Sequence, residues 1–538
     1  MKNFVFLYAG ENASHAFDAV FSGRSAFDRC LDWAASVPGL CGISVGCTSK
    51  NRVQVEQAAA RLSADVRIAE NDAWDTAQLL SALSREAAAF HADNAVYSPA
   101  DRPFLDLELT KELIESHFKY VSEYTFADGY PAGFAPEVIH CGTVQILSSL
   151  ANETHRELGC LPVSNESIFT VMKTDINSFE IESVIAPKDY RMLRLDFSCV
   201  IKRNLVACER LYSLAEKNGI PFTAEKLSDF AQSCAPVQQT LPAFYNVQIS
   251  QNCAAVPFYS PYKDAFLEKY GVLPFKEQNT AAQDMDFSRF VSLLNQIESF
   301  SEDAVVGLSA WGEPLLNGRF AEFVQAVLSH DQLSVLVETD GTLVTEELAR
   351  QLSGLARNAS PRKNGLPPLM WIVSIDAASR QMYDTVFENG DFESAVRAVS
   401  VLHKHFPSAV YPQFTRVNEN ESELESFYRF WHSKDSPSGG NVIIQKYNDF
   451  CRKLPDRKPA DLSPLERNPC WHLKRDMTVL CDGSVPLCRQ RLFSSVGNVF
   501  DEGVEKVWKK ISEASEQNIM GAYGEPCRNC DEYYTFNF

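Results

Sequence analysis

Apolar and polar positions along this chain fall into alternating strand-like and helix-like stretches. Short β-rich apolar runs at 4–8, 42–46, 66–69 and 95–97 are separated by helical spacing at 26–35 and 77–90. Strands interleaved with helices predict a layered α/β domain. Helices are predicted over 200–217 and 224–232, and Pro221, Pro236 and Pro242 punctuate the link that follows. Beyond it the alternation becomes a repeat. Six strand–helix pairs are predicted, with strands at 244–250, 305–309, 334–338, 370–375, 409–415 and 441–446. Phe287, Phe290, Val291, Leu294 and Ile297 make one helical stripe, and Phe320, Phe323, Val324 and Val327 make another. Such βα units predict a parallel sheet or barrel, with sites at the C-terminal strand ends. In the last stretch, 477–481 and 485–488 are predicted to pair as a hairpin turning at Gly483.

Composition narrows the class. A chain of 538 residues suits about two to four domains, and 45% hydrophobic with 22% charged residues is ordinary for a folded protein. The expected domains are 1–235, 236–450 and 451–538. No apolar run approaches a membrane span, and the opening residues read as a strand rather than a signal peptide, so a cytoplasmic location is expected. The net charge of −20 argues against nucleic acid and anionic membrane as partners. Of the fifteen cysteines, nine are scattered through 1–253 and six lie between Cys451 and Cys530. In a reducing compartment such a cluster points to metal rather than disulfides.

Tyr8-Ala9-Gly10 follows the first strand, and Phe21-Ser22-Gly23-Arg24-Ser25 precedes a helix. Farther on stand Ala100-Asp101-Arg102-Pro103, Tyr130-Pro131-Ala132-Gly133 with Glu137, and the run from Asp189 to Leu195. On these residues the first segment resembles a cytidylyltransferase-type nucleotide-sugar domain, and the resemblance implies a metal-holding role for Asp101. Two departures argue against a divalent metal there. The loop 9–23 has neither Lys nor Arg and carries Glu11 and Asp18, so it repels a triphosphate. A second metal-binding aspartate is expected beyond Arg194-Leu195, and Ser198 falls about where it should be. A fold retained for packing or binding is the expectation; nucleotide-sugar transfer through Asp101 is an alternative.

The strand at 244–250 leads into a loop bearing Cys253, Tyr259 and Pro261. This loop resembles the start of a radical S-adenosylmethionine (SAM) barrel, where cysteines follow the first strand as C-x3-C-x2-C. Here Pro257 and Ser260 stand in place of the second and third. Later strand ends continue the likeness, with Trp311-Gly312-Glu313-Pro314, Glu338-Thr339-Asp340-Gly341 and Ser374-Ile375-Asp376. It implies a partial, TIM-barrel-like (β/α)6 barrel and SAM contacts from Gly312, Glu313, Ser374 and Asp376. SAM cleavage needs a cluster on three thiolates, and proline has no ligating side chain. The barrel is expected to have lost its cluster, with Cys253 a small buried residue; SAM binding stays open.

In the tail, Cys470 is followed by Gly483, Cys488, and Cys527-x-x-Cys530. This resembles the SPASM/twitch extension of radical SAM enzymes and implies one auxiliary 4Fe–4S cluster on these four cysteines. A structural zinc on the same thiolates is the chief rival. Cys481 is a fifth candidate that alternates away, and Cys451 is expected to be a core or surface thiol. No further cysteine follows before Phe538, so a second auxiliary cluster is not expected.

The order of these pieces is similar to the spiro-SPASM family. The expectation is an iron–sulfur protein that does not cleave SAM and acts in binding, scaffolding or electron transfer for a modification pathway. An active radical SAM peptide- or protein-modifying enzyme is the alternative beside nucleotide-sugar transfer. Whether the chain is an enzyme, and which peptide, protein or small molecule it meets, is left open.

Overall fold

The computed structural model describes all residues except 1, 11–12, 63, 159, 276–283, 363–364, 526 and 536–538. Glu11 therefore lies outside the described residues. The chain forms two compact units, 1–240 and 241–538.

The first unit is built on β1 (Asn3–Ala9), β2 (Leu40–Cys47), β3 (Val66–Glu70), β4 (Asn94–Pro99), β5 (Tyr124–Asp128), β6 (Glu137–His140) and β7 (Ile181–Ile185). Their order in the sheet is β3-β2-β1-β4-β6-β5-β7. β6 runs antiparallel to both neighbours and the remaining pairs are parallel. β1 is apolar throughout because both its faces are covered. Val5 and Leu7 pack with Phe27 and Leu31 of the helix Ala26–Ala35, while Phe4 and Phe6 pack with Leu79, Leu80 and Leu83 of Thr76–Ala89. Ser25 starts the first of these helices through a reciprocal cap with Asp28.

The second unit contains β8 (Phe244–Val247), β9 (Val256–Pro257), β10 (Ala304–Gly307), β11 (Leu333–Thr339), β12 (Leu369–Ser374), β13 (Phe387–Glu388), β14 (Val410–Arg416), β15 (Ile443–Lys446), β16 (Asp476–Val479), β17 (Ser484–Val485) and β18 (Gly497–Asn498). Its main sheet runs β15-β14-β12-β11-β10-β8-β16, and every pair in it is parallel. Six strands are the predicted barrel strands in sequence order. The first five are largely buried, as the Val-, Ile- and Leu-rich runs require, and β15 forms a half-buried edge with Ile444 exposed.

The seventh strand was not anticipated. The expected hairpin of 477–481 with 485–488 does not form. β16 instead adds to the free edge of β8 in parallel, with Met477 opposite Tyr245 and Val479 opposite Val247. β17 pairs with β18. Gly483 still makes the turn between β16 and β17 at φ +81°, donating to the Leu480 carbonyl at 2.8 Å. The tail is thus part of the barrel's sheet, and it covers an edge that would otherwise be open. Among the described residues no helix is long and apolar enough to cross a membrane.

Candidate iron–sulfur and barrel-mouth site

At the C-terminal ends of the barrel strands lies a cavity of about 290 Å3, which runs from Cys253 and Glu313 to Cys470, Cys488, Cys527 and Cys530. One wall is the loop after β8. The Cys253 amide donates to Pro274 at 2.7 Å, and its side chain, 8% exposed, packs among Val256, Phe266, Phe275 and Trp311. Burial raises the thiol far above its ordinary range, and Glu313 and Asp340 push the same way. Pro257 is held in the β9–β13 pair opposite Phe387. Ser260 precedes the helix Tyr262–Tyr270, and its hydroxyl accepts from the Tyr262 amide at 3.3 Å. Tyr259 donates its hydroxyl to Asp376, and the Ala255 amide donates to Asp340 at 3.0 Å. The loop is closed by these bonds.

Gly312, Glu313 and Ser374 line the cavity; Asp376 is fully buried beneath it. Gly312 sits at φ +87°, and a Cβ there would come within 2.4 Å of the Ser250 carbonyl oxygen. Glu313 is 5% exposed, and its carboxylate accepts from Thr339 Oγ1 at 2.9 Å and from the Asp340 and Leu315 amides at 3.0 and 3.1 Å. Burial holds its carboxyl well above the usual range, with Asp340 adding to the shift. Asp376 accepts from Tyr259 and the Thr415 amide, and burial pushes it up to about 6.

The other wall is the cysteine cage. Cys470 caps the turn Trp471–Arg475, and its amide donates to Asn518 at 2.9 Å. Cys488 follows β17, and the Cys527–Asn529 turn brings Cys527 and Cys530 alongside, with the Cys530 amide donating to the Cys527 carbonyl at 3.1 Å. Burial pushes the Cys470 thiol up to about 12, and Cys530 and Cys527 add to the shift; Cys488 is raised by burial and then by Cys470. Four soft sulfur donors suit iron–sulfur ligation, which would remove their protons. Among the described residues no three His, Cys, Asp or Glu side chains are gathered closely enough to hold a single metal ion.

Two site residues escaped the sequence reading. Cys451, expected to be an ordinary core or surface thiol, lines the same cavity, with its thiol toward Gln490 Oε1 at 4.0 Å. Cys481 does not; its thiol donates to the Gln248 carbonyl at 3.1 Å. In the first unit the carboxyl that acts electrostatically on Asp101 is that of Asp196, not a group at the Ser198 position. Burial raises Asp101 to about 6 and Asp196 adds to the shift. Asp196 accepts from the Ser198 amide and Asn204 at 3.0 Å each. Asp18 of the acidic loop pairs with His15 at 2.8 Å.

A family model described as an iron-sulfur cluster-binding domain, SPASM, matches residues 470–531. The fold is α/β with a parallel sheet of βα units, and its C-terminal segment carries a SPASM-type match. A Treponema pallidum protein described as uncharacterized is 36% identical over 379 residues, covering 69% of this chain and 98% of its own. The chain belongs to the family of that protein. Among solved structures, BtrN in complex with AdoMet and 2-DOIA is similar at 15% identity and a TM-score of 0.35, over 55% of this chain and 94% of its own. A cytidylyltransferase from Leptospira borgpetersenii is similar at 13% identity and a TM-score of 0.36, over 44% of this chain and 97% of its own.

Proposed function

We propose that the chain binds one 4Fe–4S cluster on Cys470, Cys488, Cys527 and Cys530, does not cleave SAM at the barrel mouth, and serves in binding, scaffolding or electron transfer for a modification pathway. One observation carries this reading: among the described residues a single cavity has Cys470, Cys488, Cys527 and Cys530, together with Cys451, at one end and Cys253 alone at the other. Bound in the cage, a four-thiolate cluster supplies one-electron transfer without an open iron. The chain's own residues do the rest. The ligand segments are fixed by the Asn518 bond to Cys470 and by the Arg467 guanidinium on the Cys527 carbonyl at 2.7 Å. At the mouth, the Tyr259–Asp376 bond and the apolar packing of Cys253 hold closed the loop that would have to open for a cluster.

The test is serine substitution with product analysis. Cys470→Ser or Cys488→Ser is expected to lose most bound iron, whereas Cys253→Ser keeps it. Reduced protein with SAM is expected to release no 5′-deoxyadenosine. Release abolished by Cys253→Ser would establish an active radical enzyme instead.

A second reading rests on the Asp101–Asp196 pair, in which Asp101 Oδ1 is buried without a hydrogen-bond partner among the described residues. Two facing carboxyls are the donor set a magnesium ion uses. Magnesium-dependent pyrophosphate release from CTP, lost in Asp101→Asn, would establish it; its absence in the native chain would exclude it.

A further inference from the structure

We infer that Asn518 is a positioning residue of the cysteine cage: its Oδ1 holds the Cys470 amide, and its Nδ2 donates to a sulfur of the bound cluster and so sets the cluster's potential. The inference rests on the proposed cluster assignment.

Asn518 ends a buried stripe. Along the helix Val504–Ile519, Val504, Val507, Trp508 and Ile511 recur at helical spacing and are buried. Ser515 and Asn518 continue that stripe at 1% and 3% exposed, where the pattern calls for apolar side chains. A buried amide needs partners at both of its ends. One end has its partner, because the Cys470 amide donates to Asn518 Oδ1 at 2.9 Å. The same bond fixes the orientation of the side chain, since a backbone N–H requires the oxygen and not the NH2 group. Nδ2 is therefore the remaining end, and it is buried with no hydrogen-bond partner among the described residues. The Ser515 hydroxyl, one turn earlier on the same face, is in the same condition. A buried donor left unpaired costs about 1–3 kcal/mol.

Two guanidiniums beside the ligand segments repeat the pattern. Arg467 Nη2 donates to the Cys527 carbonyl at 2.7 Å. The Arg491 amide donates to the Cys488 carbonyl at 3.0 Å, and its Nη2 donates to the Glu525 carbonyl. In both residues Nε is buried without an acceptor among the described residues. Asp531 and Glu532, the carboxylates that follow Cys530, are already held by Lys446 and Lys458. Unmet donors next to a set of thiols suit a negative, acceptor-only group, and a thiolate-bound cluster is one. Reduction adds a further negative charge to it. A hydrogen bond to its sulfur therefore favours the reduced state and raises the potential. A zinc ion on the same thiolates has no reduction step, so the potential reads the cluster alone.

The experiment is a redox titration of the reconstituted full chain, followed by EPR, with iron and zinc counted in parallel. Asn518→Asp keeps an oxygen for the Cys470 amide and removes the donor. It is expected to retain the native iron content and to lower the midpoint by about 59 mV, a tenfold change in a one-electron equilibrium. Asn518→Leu removes both ends and is expected to lower the midpoint likewise and to lose iron to a chelator faster than the native chain. Spin-echo spectra of the reduced native chain, isotopically labelled at the asparagine side-chain nitrogen, are expected to show a nitrogen coupling that disappears in Asn518→Asp. An unchanged midpoint in Asn518→Asp overturns the inference and leaves the cluster assignment standing. Absence of the nitrogen coupling in the native chain overturns it as well, whether or not the variants fold. A native chain that holds zinc in place of iron, or no metal, overturns both readings.

Discussion

Asp376 sits at φ +54°, fully buried, with the Tyr259 hydroxyl and the Thr415 amide both donating to it. Its pKa, near 6 against an ordinary 3.8, is raised chiefly by burial. A raised carboxyl pKa favours the protonated native state. Its stabilising contribution is complete below the unfolded pKa and is lost as pH rises through 6. Asp376→Asn lacks this titration. Relative to the native chain, the variant should gain about 2 kcal/mol in unfolding free energy between about pH 4 and pH 8. Denaturant unfolding of both proteins across that range checks this, and a flat difference would show that Asp376 is not buried as a carboxylate. At this scale the sequence was informative wherever a motif fixed the spacing, as for Cys470, Gly483, Cys488, Cys527 and Cys530. It was silent for Cys451, because no motif joins that residue to the others. Its place on the cavity comes from a left-handed turn that Phe450-Cys451-Arg452 gives no sign of adopting. Asp196 was missed because the stretch expected to be a strand forms a 3-10 turn, Arg191–Leu193, that ends at Arg194 in a left-handed conformation, φ 52°.

Elements were legible because their signals are local. The helices Ala26–Ala35 and Ala224–Ser233 and the barrel strands follow from periodicity and capping. The partner of β16 is a long-range choice between two apolar edges, and spacing within the tail does not encode it. Two predictions belong here. Truncation after residue 450 removes β16 and leaves the β8 backbone edge and Tyr245 and Val247 uncovered. The shortened chain is expected to aggregate, which size-exclusion chromatography would detect; a monodisperse product would show that the tail is an independent module. Lys458→Met leaves Asp449 and Asp531, 8% and 17% exposed, without the lysine they share. A loss of about 3 kcal/mol is expected from breaking a buried pair. The variant should also lose iron to a chelator faster than the native protein. Unchanged unfolding and chelation would mean that the network does not hold the Cys527–Cys530 turn.

At the scale of the whole molecule, each unit is built on a seven-stranded sheet, and the two units' polar sites differ in kind. In the second unit the order of six parallel strands puts the loop that bears Cys253 and the C-terminal cysteines on one cavity. The first unit has a buried carboxyl pair and an acidic residue, Asp18, in the loop where a triphosphate would need cations. The most direct test of the central claim is anaerobic reconstitution of the full chain, with iron and sulfide counted and EPR spectra taken with and without SAM. About four irons per chain and a spectrum unmoved by SAM are expected, by the composition of one closed four-cysteine cluster. About eight irons, with a signal that shifts when SAM is added, would contradict the account.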